Sequence, residues 1–449
     1  MHSPGLLLLF DGALAVLGVL LASEGRSTPA ISIFAALGLL GVWQIALFSS
    51  TPNPGATYRA EPFSRSTHYI QGFLQAAIYV YLSLYWGGIQ TYAPLILAQA
   101  IVGYLCDMLL AWNRGRTARI GFGIVPVILS TNLFLWFKED YFYCQLLMIA
   151  MAFFSKEFLT WNYGGRRRHI FNPSAFPLSV VSMFLLLSGE TGLTRGADLV
   201  GAFELPPNFY EVIFLLGLVT QALFLTTPVS LGAVLSLYLL YLGAQSVCGE
   251  PLSATPIQIQ VFLGLTFLVT DPATSPKSSL GKFLFGVVYG AGVFATYIAL
   301  RLQRQPAYFD KLLVVPVVNL LVPLFDCLTD WIEKTIVPAP VLRSSGFVAR
   351  YGWLAAYISL FLFIVPTLKV AHTRPYGKLP PPVIRYSDDI GRLITNHLIC
   401  RSVYPNAYQP FGLISEFANL PAIRRIYREG AADSPGPAGI LRVFDESNL

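Results

Sequence analysis

A succession of long apolar segments, running from the N-terminus to about residue 370, is the feature that most constrains this chain. A helix needs about 20 mostly apolar residues to cross a bilayer core, and a window of that length predicts about thirteen spans. Lipid offers the backbone no hydrogen-bond partners, so each segment must satisfy its own backbone groups by forming a helix. The predicted spans are 5–22, 29–48, 67–86, 92–112, 120–137, 141–158, 173–188, 209–226, 228–247, 257–273, 280–300, 311–326 and 350–368. The sequence therefore predicts an all-α, polytopic membrane helix bundle of about 12–13 spans.

Charge is too scarce for a soluble protein of this size. Charged residues make up 12% of the 449 residues, whereas a typical soluble domain carries about 25%. The net charge of +6 is typical of a membrane protein with basic cytoplasmic loops. No basic stripe with interleaved aromatic residues is present, so the expected partner is a lipid bilayer and not a nucleic acid.

The loops alternate in charge along the chain. Loops that face the cytoplasm are enriched in Lys and Arg, so the basic loops predict a cytoplasmic N-terminus and place the 189–208 and 248–256 loops outside. The loop that contains Arg301, Arg304 and Lys311 breaks this pattern. The basic residues that follow even-numbered spans are Arg59, Arg65, Arg114, Arg116, Arg119, Lys156, Arg166, Arg167, Arg168, Lys277 and Lys282.

Metal centres are not expected. The five cysteines are scattered without a CxxC pair, whereas iron–sulfur clusters and structural zinc need several closely placed thiolates. None of the five histidines lies in the middle of an apolar span, which argues against a membrane haem. The sequence also offers no candidate catalytic residue.

The first motif that can carry chemistry is an arginine run followed by Asn-Pro at the start of the seventh predicted span. Asn172 is a good N-cap and Pro173 suits the first helical turn. A helix N-terminus near Ser174, with Arg167 and Arg168 close by, can bind an anion or an electron-rich ring carbonyl. The alternative is a capped helix whose arginines only anchor the chain at the membrane surface.

The second and third motifs lie on either side of the tenth predicted span. Asp271, Thr274 and Ser275 end this span abruptly in the stretch TDPATSP. An acidic group at membrane depth is costly and points to function, although a polar end of a helix is the simpler alternative. Before the span lie Ser253, Ala254 and Thr255, which alone are typical of an ordinary loop.

Together and in this order, the motifs resemble the NqrB/RnfD family of membrane subunits. Members of that family belong to the sodium-translocating NADH:quinone oxidoreductase and to the Rnf electron-transport complex. The resemblance covers roughly residues 67–330 and rests on the stretches HIFNPSAF, SATP and FLVTDPATSP, with Asn319–Asp326 similar to the family's ending. It implies an electron-transfer subunit of a bacterial inner-membrane redox complex, not catalytic alone, in which electron transfer can be coupled to ion translocation.

The resemblance also implies that the chain carries a flavin cofactor. In that family a threonine in such a motif carries FMN through a phosphoester bond, which corresponds here to Thr255 with the small neighbours Ser253 and Ala254. A flavin transferase would make this bond on the outer side of the membrane. The family's aspartate six residues before the threonine is replaced here by Gly249.

A second, non-covalent flavin (riboflavin or FMN) is implied on the cytoplasmic side. By the same resemblance, its expected contacts are Asn172, Pro173, Ser174, Arg167, Arg168, Asp271, Thr274 and Ser275. An arginine beside the ring would favour its reduced, anionic form.

Two other functions stay open on sequence grounds. The pattern Asn172-Pro173 with Pro177-Leu178 recurs as Asn319 with Pro323-Leu324, which suggests that the core consists of two inverted repeats. Inverted repeats with broken helices also build channels and transporters of small solutes. The altered loop before Thr255 and the extra tail suit a third function, a flavin-free accessory or scaffold protein.

The predicted organisation has four parts. An additional transmembrane hairpin occupies residues 1–50, and the ten-span core occupies residues 67–330. A further hydrophobic span follows at 349–369. The polar tail, 370–449, ends in a stretch with the composition of a disordered segment.

Overall fold

The chain folds as a bundle of helices connected by loops at two ends. The computed structural model describes residues 3–49, 58–163, 165–248, 253, 255–335 and 346–369, which belong to one compact unit, Met1–Thr373. The predicted tail at 370–449 lies outside the described residues. The all-α, polytopic membrane class predicted from the sequence is confirmed.

The helices vary widely in length. They are α1 Ser3–Ser23, α2 Ser27–Ser49, α3 Ser66–Ser83, α4 Gly88–Asn113, α5 Ile124–Asn132, α6 Phe142–Phe158, α7 Ala175–Ser188, α8 Gly196–Phe203, α9 Phe209–Phe224, α10 Thr227–Cys248, α11 Ile259–Leu263, α12 Ser279–Leu302, α13 Asp310–Leu320, α14 Val322–Thr335 and α15 Gly346–Lys369.

Within the described ranges, six helices are long and apolar enough to cross a membrane: α1, α2, α4, α10, α12 and α15. The bent pair Ala307–Leu320 and Val322–Ile332, with 58° between its halves, makes a seventh if it forms one span. The other predicted spans are shorter or less apolar helices, such as α5, α7 and α9. A hydropathy window counts apolar residues and does not detect where a helix ends, so the sequence predicted more spans than full-length helices.

The N-terminal hairpin and α15 both pack against the core. Helices α1 and α2 lie against α4 and α6, and Arg26 in their turn forms an ion pair with Glu139 at 2.7 Å. Helix α15 lies against α10 and buries Tyr357, Phe361 and Ile364, which share one helical face. The ring of Phe361 stacks on the ring of Phe214 with centroids 3.8 Å apart.

The core has two halves with the same order of elements. Each half has two helices, a short helix that ends inside the core, a long helix and a fifth helix. The first half is α3–α7 and the second is α9–α13. Tyr81 near the end of α3 lies against Phe209 at the start of α9, so these corresponding helices run antiparallel.

The fifth helices, α7 and α13, also run antiparallel. Asn172, just before α7, donates its backbone N–H to Oδ1 of Asn319 near the end of α13. At the other end, the hydroxyls of Thr194 and Tyr308 lie 3.3 Å apart. This is the arrangement of an inverted repeat. Asn172 precedes its helix whereas Asn319 lies near the end of another, so the two asparagines meet in space but do not occupy equivalent positions.

Two short helices end inside the core, and side chains satisfy carbonyl groups near their ends. Helix α5 is followed by fully buried residues 133–137, and the indole of Trp136 donates to the carbonyl oxygen of Asn132. Helix α11 continues into a π-helical turn, Gly264–Leu268. There Ser230 donates to the carbonyl oxygen of Leu265 at 2.7 Å. Such bonds replace the water that a helix end would otherwise need.

Helices α10 and α12 approach each other through glycines. Gly286 and Gly290 of α12 form a GxxxG pattern, which allows the backbones of two membrane helices to come close. A methyl group on Gly286 would overlap the carbonyl oxygen of Val229, and one on Gly232 of α10 would overlap the carbonyl oxygen of Phe283. This is a backbone-to-backbone contact that side chains cannot relieve.

The loops gather at two ends of the bundle. The arginine-rich end contains the loops at 59–65, 114–122, 159–163, 165–174 and 269–278. It also holds two small sheets. Strand β1 (Ala60–Pro62) pairs in parallel with β2 (Ala118–Ile120), and β3 (Thr160–Tyr163) pairs antiparallel with β4 (Arg166–His169).

The opposite end contains the loops at 24–26, 133–141, 189–208, 255–258 and 303–309, together with Ser253. Hydrogen bonds link several of these loops to one another, for example Lys138 to Leu193 and Arg195 to Trp136. The contacts therefore sort the loops into the same two groups as their charges. Arg304, in the last of these loops, remains a basic exception. Lys311 does not belong to the loop, because it lies within α13 and its side chain is 2% exposed.

Candidate functional site

Two of the three sequence motifs meet at the arginine-rich end, around Asn172. Its side-chain nitrogen donates to the carbonyl oxygen of Leu268 at 2.8 Å, and its Oδ1 accepts from the backbone N–H and hydroxyl of Ser174. Asn319 donates from its side chain to the carbonyl oxygen of Thr274 at 3.1 Å. We call Asn172, Ser174, Asp271, Thr274 and Asn319 the asparagine junction. It connects the start of α7, the end of α13 and the non-helical segment 269–278 that follows the π-helical turn.

Asp271 holds the turn of the second motif together. Its carboxylate accepts from the backbone N–H of Ala273 at 3.2 Å and from the hydroxyl of Thr274 at 3.0 Å. The Nε2 atom of His169 lies 3.4 Å from Oδ2 of Asp271. Ser275 is buried beside them. Each polar side chain of the junction has a protein partner, so in this conformation the junction is a packed hydrogen-bonded core.

Arg167 of the first motif points away from the asparagine junction. Arg167 donates to the hydroxyl of Thr160 at 3.0 Å and to the carbonyl oxygen of Glu157 at 2.9 Å. Arg168 lies on β4 opposite Trp161. Glu157 also forms ion pairs with Arg114 and Arg116 at this end of the bundle. The structure therefore brings Asn172, Pro173, Ser174, Asp271, Thr274 and Ser275 together but directs Arg167 towards the end of α6.

Replacing Asn319 by alanine should destabilise the protein by about 2–3 kcal/mol. The change removes the partners of two buried backbone groups, the N–H of Asn172 and the carbonyl oxygen of Thr274, and each unsatisfied group costs about 1–3 kcal/mol. Denaturant unfolding of the purified protein in micelles measures the loss. Asn162→Ala, at an exposed position of β3, is the matched control and should change little. Equal stability of the two variants would contradict a structural role for the junction.

The third motif, around Thr255, lies at the opposite end. Four hydrogen bonds hold the described part of this loop. Ser253 accepts from Tyr241 through its carbonyl oxygen at 2.7 Å and donates from its hydroxyl to the carbonyl oxygen of Thr255 at 2.6 Å. Ile257 accepts from the hydroxyl of Thr255 at 3.3 Å and from that of Tyr210 at 2.8 Å. Ala254 and residues 249–252 lie outside the described residues.

A pocket lies beside this loop, between α10, α12 and the start of α11. Its walls are mostly aromatic and apolar, with a few polar groups. Thr255 itself is 5% exposed and does not line the pocket, whereas Ser253 and Pro256 do. The lining residues are Leu237, Tyr241, Ser253, Pro256, Ile257, Gln258, Val261, Val293, Phe294, Tyr297 and Asp310.

A cluster of buried amides in the first half of the core was not predicted from the sequence. Asn132 donates to Oε1 of Gln99 at 2.6 Å, and Gln145 donates to Oδ1 of Asn132 at 3.3 Å. Gln145 also accepts from the backbone N–H of Phe137 at 3.1 Å. The available signal was an amide side chain within each of three apolar segments, which a search for charged groups and motifs passes over.

Neither a metal-binding cluster among the described residues nor a similarity to known proteins indicates a further site. Within the described residues, no group of three or more His, Cys, Asp or Glu side chains is placed to hold a metal ion. A scan against protein-family models finds no match to the chain, and a search of curated proteins finds no significant match. The candidate sites are therefore the asparagine junction at the arginine-rich end and the pocket beside Thr255 at the opposite end.

Proposed function

We propose that this chain is a flavin-carrying electron-transfer subunit of a bacterial membrane redox complex. The observation that carries the proposal is the pocket beside Thr255, because the loop that resembles a flavin-attachment motif also forms one of its walls. Tyr241, Phe294 and Tyr297 offer aromatic surfaces to a planar ring, and ligand sites are commonly apolar with a few polar groups. Gln258 supplies an amide that can orient such a ring.

Attachment of a flavin to the hydroxyl of Thr255 needs a change in the conformation of this loop. In the described conformation this hydroxyl donates inwards to the carbonyl oxygen of Ile257. Attachment therefore requires Thr255 to turn outwards. The hydrogen bonds lost by this change are made by side chains and do not belong to a helix. A bound flavin would provide one-electron chemistry, while the protein positions it and excludes water.

We propose that the chain carries one flavin. The residues expected around a second flavin bond to one another in the asparagine junction, and Asn172, Ser174 and Thr274 are buried there. In this proposal the arginine-rich end faces the cytoplasm. The loop that contains Thr255 then lies on the outer side of the membrane, where a flavin transferase acts, and the other subunits of the complex supply and remove electrons.

Thr255→Val should abolish covalent flavin. The protein is co-produced with a flavin transferase, purified and examined for flavin fluorescence on a denaturing gel. The wild type should give a fluorescent band that the Thr255→Val protein lacks, because valine keeps the shape of threonine but has no hydroxyl for the phosphoester.

Thr191→Val, in a loop at the same end of the bundle, is the control and should keep the band. A native preparation that releases flavin on denaturation, with no fluorescent band, would show a non-covalent flavin and remove Thr255 from the proposal. Absence of flavin from every preparation would contradict the proposed function, and solute uptake by proteoliposomes would then test the transporter alternative.

A further inference from the structure

A pair of opposite charges is buried where α13 begins. Asp310 is 1% exposed and Lys311 is 2% exposed, and neither side chain belongs to the asparagine junction or to the Thr255 loop. Ionic groups within a membrane bundle are costly, usually face one another or a cavity, and indicate function by default. The pair therefore needs an explanation that the proposed electron transfer does not supply.

Several groups of the bundle form hydrogen bonds with this pair or leave room for it. Nζ of Lys311 donates to the carbonyl oxygen of Tyr308 at 2.5 Å and lies 3.6 Å from Oδ1 of Asp310. The backbone N–H of Lys311 donates to the same carboxylate oxygen at 2.6 Å, and Tyr289 of α12 donates to the carbonyl oxygen of Lys311 at 3.0 Å. A methyl group on Gly264 would lie 3.3 Å from Cβ of Lys311, so the π-helical turn leaves room for the lysine stem.

Asp310 also borders the pocket beside Thr255. Asp310 is one of its lining residues, together with the polar side chains of Tyr241, Ser253, Gln258 and Tyr297. These side chains lie at the end of the bundle opposite to the arginine-rich end. Among the described residues that line the pocket, Asp310 is the one that carries charge at neutral pH.

The surroundings of Asp310 contain few other titratable groups. Helix α7, which packs against α13, has no residue with a titratable side chain, and α11 has none either. The titratable groups facing the pair from neighbouring elements are Tyr241 of α10, Tyr289 and Tyr297 of α12, Tyr308 before α13, and Asp198 of α8, which acts on Tyr308. The carboxylate and the ammonium of the pair are thus the groups best placed to exchange a proton.

We propose that Asp310 is a proton-binding site that exchanges with the aqueous phase at the opposite end through the pocket. The carboxylate takes a proton from hydronium, so one O–H bond forms on Asp310 while one breaks on hydronium, and no electron moves. The buried pair then changes from neutral to a charge of +1, carried by Lys311. The site uses the same pocket as the proposed flavin but does not require a flavin. It is therefore tested on protein produced without a flavin transferase, where its failure is distinguishable from failure of the proposed function.

Infrared difference spectroscopy of the full chain in proteoliposomes tests this site. Lowering the pH should produce carboxylic-acid C=O bands that shift in D₂O, and one of these bands should belong to Asp310. Asp310→Asn should lose this band completely. Asp140→Asn, at an exposed acidic position of the same end, should keep it. If Asp310→Asn folds poorly, the double variant Asp310→Asn with Lys311→Met removes both charges and should also lack the band.

Blocking the pocket tests the route. In a background without the five native cysteines, Ser253→Cys is modified with a bulky, membrane-impermeant thiol reagent before the pH change. The modification should slow the appearance of the Asp310 band about tenfold relative to the same Ser253→Cys protein left unmodified. Persistence of every band in Asp310→Asn, or an Asp310 band that appears equally fast after modification, would overturn the proposal.

Discussion

Gly286→Ala should lower the free energy of unfolding by about 2–3 kcal/mol, the upper part of the range for overpacking a well-packed core. The added methyl group would overlap the backbone carbonyl oxygen of Val229, and a backbone group of a helix cannot rotate away as a side chain can. Helices α10 and α12 would have to separate along their whole contact. Unfolding of the purified protein by increasing SDS in mixed micelles measures the effect.

Gly41→Ala is the matched control for this prediction. Gly41 also lies inside an apolar helix, α2, but a methyl group there meets no atom within 4 Å. Alanine in place of an unconstrained helical glycine is expected to stabilise by about 0.5–1 kcal/mol. The same substitution should therefore act in opposite directions at the two sites, and a loss of equal size at both would show that α10 and α12 do not make this close contact.

Lys311→Met should destabilise the protein by about 3–5 kcal/mol, the usual cost of leaving one buried charge without its partner. The ammonium of Lys311 lies 3.6 Å from the carboxylate of Asp310, and both side chains are 2% exposed. Methionine fills the space of the lysine stem beside Gly264 but leaves the carboxylate uncompensated. The same unfolding assay at neutral pH measures the loss.

The double variant Asp310→Asn with Lys311→Met should recover most of that stability. Asparagine keeps an oxygen that can accept the N–H of residue 311, and exchanging a buried ion pair for neutral groups is often close to neutral in free energy. The two single changes should therefore be strongly non-additive, as expected for groups in contact. Additive losses would mean that Asp310 and Lys311 do not act as a pair.

The apolar segments predicted the fold class correctly. In lipid, a segment has to form its backbone hydrogen bonds within the protein, and this leaves few alternatives to helices. The apolar segments overestimated the number of full-length spans. Helix α5 stops at Asn132, and α11 with its π-helical turn stops at Leu268, yet the residues that follow directly stay buried. A hydropathy window cannot distinguish a buried irregular segment from the continuation of a helix.

The asparagine junction shows how much of a site the sequence can predict. Asn172, Asp271 and Thr274 were chosen from their motifs, and the structure brings them into one cluster. Their partner Asn319, 147 residues from Asn172 along the chain, was noticed only as a repeat of the same short pattern. Two asparagines that looked like copies of one position instead bond to each other, because the antiparallel α7 and α13 bring the start of one beside the end of the other.

The sequence by itself determined that the chain is an all-α membrane protein and how its loops divide into a basic and a less basic group. Both follow from single-residue properties, apolarity and charge, that act without knowledge of neighbours. Only the tertiary structure decided that Thr255 faces inwards beside a pocket, that Arg167 turns to the end of α6, and that Lys311 is buried against Asp310. These outcomes depend on which helices meet. A buried charge or hydroxyl is stable only where another part of the chain supplies its partner.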